Sequence, residues 1–356
     1  MRLGLTHMGN IDVAVKAIAS KLGIDLVMSP ATNQRTLSLG VKYSPETVRL
    51  PFKLQLGNMI EALELGADTL MMPGDLGPCR MGYYHKVHEL ILRELGYKFQ
   101  MVTQARGIMH MVKYLTNGAS LGKVITASHF AITKLKTLEE LERVVHKIRA
   151  IEQDKGEATR IYKEGIEAID NASGYRALRQ AKREYLQKLM SLPTITSPAP
   201  LKVGVTGEFF VVIDPFTNMD IEIELGKLGV EVRRHISAGE WARLNPFIYV
   251  LGLRERDKSH KAAMPYLSCH VGGDGWQSVG EKILHARDWD GIVYLEPFGC
   301  LPEIMARNIM PSTKEGPPVL NIIYDEHTGK AGIISRLEAF VDMLHRKKRR
   351  QAAVCV

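Results

Sequence analysis

The chain has 356 residues, 45% of them hydrophobic and 24% charged. That length excludes a small disulfide-stapled domain, and the composition lies far from the corner of low hydrophobicity and high charge where chains stay unfolded, so two or three packed domains are expected. Forty-seven Lys and Arg against 39 Asp and Glu leave a net charge of +8; much of the excess sits in His345-Arg346-Lys347-Lys348-Arg349-Arg350, where cations suit a helix end, and without interleaved aromatic residues or finger spacing the run argues against a nucleic-acid partner.

Short apolar runs alternate with helical periodicity in the first third. Leu3–Met8 predicts a strand, Ile11–Leu22 a helix, Ile24–Met28 a strand, Leu56–Leu65 a helix, Thr69–Met72 a strand, His85–Leu95 a helix and Phe99–Thr103 a strand. From Leu138 to Met190 the sequence becomes charged and amphipathic, which predicts two or three connecting helices. Three prolines within Ser191–Pro200 mark a stiff linker. Alternation then resumes, with Val203–Val205, Val230–Arg233, Gly291–Leu295 and Val319–Tyr324 as strands and Met219–Leu228, Gln277–Arg287, Pro302–Asn308 and Ala331–His345 as helices. The expected fold class is α/β: lobes over residues 1–135 and 201–356, each a mostly parallel sheet covered by helices, with a helical connector over 136–192 and a proline-rich linker over 193–200. No stretch approaches 18 consecutive apolar residues and no signal-peptide core follows Met1, so a cytoplasmic protein without membrane contact is expected.

In open parallel sheets, ligands gather at the carboxyl ends of strands. Cys79 falls in such a loop after the Thr69 strand, and Cys300 in Glu296-Pro297-Phe298-Gly299-Cys300 after the Gly291 strand. Cys269 opens the glycine-rich turn Cys269-His270-Val271-Gly272-Gly273-Asp274-Gly275 ahead of a helix. A solitary cysteine is commonly a small buried hydrophobe, but three in helix-leading turns point to a shared metal or iron–sulfur site, since helix-start amides favour thiolates. Cys355, the residue before Val356, reads as a tail thiol. No pair has C-x-x-C spacing, which excludes a local zinc ribbon, thioredoxin motif or ferredoxin run. The glycine clusters match neither a phosphate-cradling loop nor a dinucleotide fingerprint, so no ATPase activity is expected of the chain itself. His7, His270 and His327 read as turn or core histidines, and Glu208 and Asp325-Glu326 as helix caps or acid–base groups.

The blocks Leu50-Pro51-Phe52-Lys53, Gly77-Pro78-Cys79-Arg80-Met81-Gly82-Tyr83-Tyr84, Cys269-His270 with Gly272-Gly273-Asp274-Gly275, and Pro297-Phe298-Gly299-Cys300-Leu301-Pro302-Glu303 carry a nearly end-to-end resemblance. The chain resembles the short stand-alone, activase-related members of the 2-hydroxyacyl-CoA dehydratase component D and benzoyl-CoA reductase superfamily (CoA-protein activase type). The resemblance implies two similar lobes holding an iron–sulfur cluster of the 4Fe-4S type between them, with Cys79, Cys269 and Cys300 as ligands. It also implies electron transfer from a separate ATP-hydrolysing activase with its own cluster, in anaerobic metabolism, with an acyl-CoA or other small molecule as substrate and a dimer as one assembly. Catalytic residues are not implied. Many short members of that superfamily carry a further cysteine where this chain has Arg49, and arginine cannot ligate iron. Beside a dehydratase-like or reductase component stand two alternatives: a scaffold or cluster carrier of the same fold, and a zinc protein using the three cysteines with His270.

Overall fold

The computed structural model describes residues 1–72, 74, 79–104, 107–195, 197–234, 258–269 and 271–354. Its chain divides into two compact units, Met1–Leu135 with Pro297–Gly299, and Lys136–Glu296 with Cys300–Val356.

The first unit runs β1 (Arg2–Leu5), α1 (Ile11–Leu22), β2 (Asp25–Met28), α2 (Gln34–Tyr43), α3 (Leu50–Glu64), β3 (Thr69–Met71), α4 (Tyr84–Glu94), β4 (Gln100–Val102) and α5 (Ile108–Leu115), and ends inside α6 (Leu121–Ile151). Its four strands are parallel in the order β2-β1-β3-β4. Parallel neighbours need crossover helices, and α1 and the α2–α3 pair supply them. Asn33 starts α2 with a capping box: its side chain accepts from the amides of Arg35 and Thr36 while Thr36 Oγ1 accepts from the Asn33 amide. Pro51 in the first turn of α3 lacks only an amide that a helix start leaves unused, so the helix begins at Leu50 rather than at Leu56. Leu50 through Leu63 are all buried, and Phe52, Leu56, Met59 and Ile60 join Leu70 and Leu92 in the main core.

The second unit takes the rest of α6, then α7 (Glu157–Asp170), α8 (Tyr175–Met190), β5 (Leu201–Gly207), α9 (Phe209–Ile213), α10 (Ile221–Lys227), β6 (Val230–Arg234), α11 (Lys258–Ala263), α12 (Gly275–Leu284), β7 (Gly291–Pro297), α13 (Leu301–Ile309), β8 (Val319–Tyr324) and α14 (Lys330–Val354). Its strand order, β6-β5-β7-β8, repeats that of the first sheet, and both sheets are parallel. Leu201, Val203, Val205, Ile292, Val293 and Leu295 are fully buried, as expected for strands covered on both faces. Residues 193–195 are pinned to the end of α6: the Gln153 amide donates to the Pro193 carbonyl (3.0 Å) and the Ile195 amide to that of Ile151 (2.7 Å).

The α2–α3 and α11–α12 helix pairs, each preceding the third strand of its sheet, are built alike. Thr36 Oγ1 donates to Glu61 (2.8 Å) in one, and Ser259 Oγ to Glu281 (2.7 Å) in the other. Glycines let the helices touch: a Cβ on Gly57 would stand 2.0 Å from the Thr36 carbonyl oxygen, and one on Gly280 1.9 Å from that of Ser259. Among the described residues no helix is long and apolar enough to cross a membrane.

Candidate functional site

In both sheets the chain order reverses between the first and third strands, and at such a switch point the turns after those two strands flank a crevice. Cys79 follows β3 and Cys300 follows β7, so the two cysteines hold the same topological place in their respective units.

Cys79 is half-buried and caps a 3-10 turn, Arg80–Tyr83, that runs on into α4; its backbone is extended (φ −72°, ψ 132°) and its carbonyl accepts from the Gly82 amide at 3.0 Å. Around this turn, Gly74 donates its amide to Gln104 Oε1 (3.1 Å) and lies against the His85 ring, where a Cβ would come within 2.5 Å of Nδ1. Arg49 is buried at the start of α3 and donates from Nε to the Tyr84 hydroxyl, five residues past Cys79. Tyr84 packs edge-on against Phe52 (4.9 Å), which also meets His88 (4.0 Å). Burial drives the His88 imidazole down to about 3, so it stays neutral with Nε2 on the Phe52 carbonyl (3.1 Å). At the end of β1, His7 pairs with Asp12 (2.9 Å) and its amide donates to Asn58 Oδ1 (3.2 Å). The Pro297–Gly299 segment counts with this unit, where the Arg80 guanidinium donates to the Gly299 carbonyl.

In the second unit Cys300 is 2% exposed and caps α13, with φ −80°, ψ 102° and its carbonyl accepting from the Ile304 amide (2.9 Å). Pro302 sits in the first turn, as the sequence implies. Gly207 at the end of β5 is obligatory: its φ of 139° disfavours any side chain, and a Cβ would stand 1.9 Å from the Leu295 carbonyl oxygen. Behind Cys300 lies a set of buried polar groups. Glu303, three residues on and fully buried, accepts at Oε2 from Ser278 (3.1 Å) and from the Tyr294 hydroxyl. Burial, then the charges of Asp274 and Glu208, push its carboxyl up to about 8. Burial and the neighbouring Glu303 charge raise the Tyr294 phenol well above its ordinary value. Burial also raises Glu296, against the pull of Arg307 at 2.6 Å. Glu208 caps α9 by accepting from the Val211 amide (3.0 Å), and Asp325 closes its turn on His327 and Thr328, so both carboxylates act as caps.

Cys269 is exposed, and the turn that follows it reaches the Cys300 helix: a Cβ on Gly275 would stand 2.5 Å from the Pro302 carbonyl oxygen. Cys79, Cys269 and Cys300 are in no disulfide. Their donor chemistry suits a soft metal or an iron–sulfur cluster, whereas among the described residues no three His, Cys, Asp or Glu side chains stand together closely enough to hold a metal ion. His270, Cys355 and the loop residues Pro73 and Asp75 to Pro78 lie outside the described residues. The carboxyl of Glu303 escaped the sequence reading; its only sequence signal was an acid at the third position of a helix begun by Cys300-Leu301-Pro302, which reads equally as a favourable dipole contact.

A family model described as CoA enzyme activase uncharacterised domain (DUF2229) matches residues 7–235. No curated protein matches the chain.

Proposed function

Since the chain belongs to the CoA enzyme activase family of that description, we propose that it is the iron–sulfur component of an activase-dependent system akin to component D of the 2-hydroxyacyl-CoA dehydratases or to the benzoyl-CoA reductases, with Cys79, Cys269 and Cys300 as cluster ligands. The observation that carries the reading is the repeated position of Cys79 and Cys300, each at the helix-leading turn after the third strand of its sheet. Cysteine sulfurs are the ligands that iron–sulfur clusters take, and strand-end turns of parallel sheets are where ligands gather. A bound cluster of this kind supplies one-electron chemistry at low potential. With no phosphate-cradling motif in its sequence, the chain depends on a separate ATP-hydrolysing activase for electrons. Arg49 stands where many short members of that superfamily carry a cysteine, and its guanidinium, tied to Tyr84, orders the start of α4 and brings positive charge to the unit that holds Cys79. Glu303 keeps its proton at neutral pH, which leaves the ground behind Cys300 uncharged at that position.

Iron and acid-labile sulfide are to be measured per chain after anaerobic purification and reconstitution, for the wild type and for Cys79→Ser, Cys269→Ser, Cys300→Ser and Cys355→Ser. The first three should lose most of their iron and sulfide while Cys355→Ser keeps wild-type content, because serine replaces a soft ligand with a mismatched oxygen at nearly constant volume. Zinc without sulfide assigns the cysteines to a structural metal. A folded, metal-free wild type after reconstitution leaves the scaffold reading in its place.

A further inference from the structure

The second unit contains a cavity of about 910 Å³ that the cysteine turns do not use. It is bordered by α6, by Lys202 near the start of β5, by β6, which is the outer strand of its sheet, and by the 285–289 turn. Its volume falls in the range of small-molecule sites, about 300–1,000 Å³.

Six Lys or Arg and five Asp or Glu, Glu139 among them, line its walls, and not every cation is paired. Glu142 pairs with Arg234, Glu140 with Lys182 (2.5 Å), Glu231 with Arg233 (2.6 Å) and Asp288 with His285 (3.6 Å). Lys136, Arg143, Lys147 and Lys202 also line the cavity, and among the described residues none of the four makes an ion pair. Arg233 offers one more donor, since its Nε is buried with no hydrogen-bond partner while its far nitrogen serves Glu231. A buried donor left unmatched costs free energy that an incoming acceptor would recover. The remaining wall is aromatic and rigid. His285 stacks on Trp289 with ring centroids 4.3 Å apart and planes 15° from parallel, and its Nε2 lies 3.3 Å from Glu281. The indole in turn packs against Gly204, where a Cβ would come within 2.2 Å of it.

Several unpaired cations around one concave space, with a guanidinium among them, match a multiply charged oxyanion better than a single carboxylate. A flat, fixed ring at the same wall suits an organic group attached to that anion. We propose that this cavity binds an organic phosphate, with Arg143, Lys202 and Arg233 taking the phosphate and the His285–Trp289 pair facing the organic part. The site is independent of the cysteines, so it stands or falls apart from the iron–sulfur reading.

Isothermal titration of the full chain at low salt, with inorganic pyrophosphate and with ADP as probes, tests it. Both should bind saturably at one per chain, ADP the more tightly. The double variant Arg143→Glu/Lys202→Glu, at two exposed positions, should weaken both by about tenfold or more, and His285→Leu should weaken ADP while leaving pyrophosphate unchanged. Lys188→Glu, on α8 and paired with Glu184 outside the cavity, serves as the control and should change nothing. Circular dichroism verifies that each variant folds. Absence of saturable heat from both probes overturns the proposal, as does equal loss in the control. ADP binding no tighter than pyrophosphate, and unmoved by His285→Leu, overturns the organic part of the assignment.

Discussion

Replacing Glu303 by Gln should make the second unit less sensitive to alkali, by an amount that the carboxyl's surroundings fix. Glu303 is fully buried and its pKa rises from 4.5 to about 8, mainly through burial. Between those values the folded chain holds a proton that the unfolded chain has released, so the folded state binds more protons and stability falls as pH rises. The loss approaches about 1.4 kcal/mol per pH unit between the two values, which comes to about 3 kcal/mol at pH 7 and about 4 kcal/mol at pH 8 relative to pH 4.5. Glutamine removes the titration and can still accept from Tyr294 and Ser278, at a constant cost of about 1–3 kcal/mol for burying its amide donors. The variant should therefore be the less stable protein at pH 5 and the more stable one at pH 8. Urea unfolding followed by tryptophan fluorescence reads this directly, because Trp276 and Trp289 lie in the second unit. Parallel stability curves for wild type and variant from pH 5 to pH 8 would refute the claim that burial keeps this carboxyl protonated.

Two further perturbations follow from the packing and the charges. Gly57→Ala and Gly280→Ala drive a Cβ to within 2.0 Å and 1.9 Å of a facing helix backbone, so each should cost at least the ~1–3 kcal/mol of ordinary overpacking, whereas Gly122→Ala in α6, with nothing within 4 Å, should be neutral or gain up to about 1 kcal/mol; urea midpoints decide the order. Arg234→Met strips the cation from between Glu142 and Glu222 and should cost about 3–5 kcal/mol. Burial pushes the Glu222 carboxyl up, but the charges of Arg234 and His146 more than offset it, so Glu222 stabilises the fold above its unfolded value of 4.5 and loses that contribution as pH falls; in acid titrations the Arg234→Met protein should show a flatter decline than wild type.

How much of this was legible in the sequence depended on how each element is buried. α1 and β8 match their sequence-read bounds to the residue, because one has an apolar stripe with a left-handed Gly23 after it and the other is a short β-rich run. α2 was missed: its polar composition weakens the stripe, although Asn33 with Thr36 spelled out its start. α3 was read six residues late because a helix buried on every side shows no amphipathic period and Pro51 reads as a break. The cysteine turns could be placed from strand ends alone. The polar ground behind Cys300 could not, because it depends on pairing: Thr206 and Tyr294 are register partners on neighbouring strands, and a strand buried at all seven positions, as β7 is, gives no alternation to show which side chains share a face.

The two sheets share one construction and differ in the chemistry it supports. Each places a helix pair before its third strand, locked by a hydroxyl on a buried glutamate and a glycine against a carbonyl, and each ends that strand in a cysteine turn. What surrounds the turn is then free to diverge. Five residues past Cys79, Tyr84 takes a buried guanidinium, and neutral His88 packs in the same helix; three residues past Cys300 is a buried carboxyl that keeps its proton. The two thiols differ in access despite equivalent positions, Cys79 being half-buried and Cys300 buried. Of the two, Cys79, half-buried, should alkylate faster in the folded chain than Cys300, which is 2% exposed, and equal rates for the two in the unfolded chain would confirm that the difference comes from the fold.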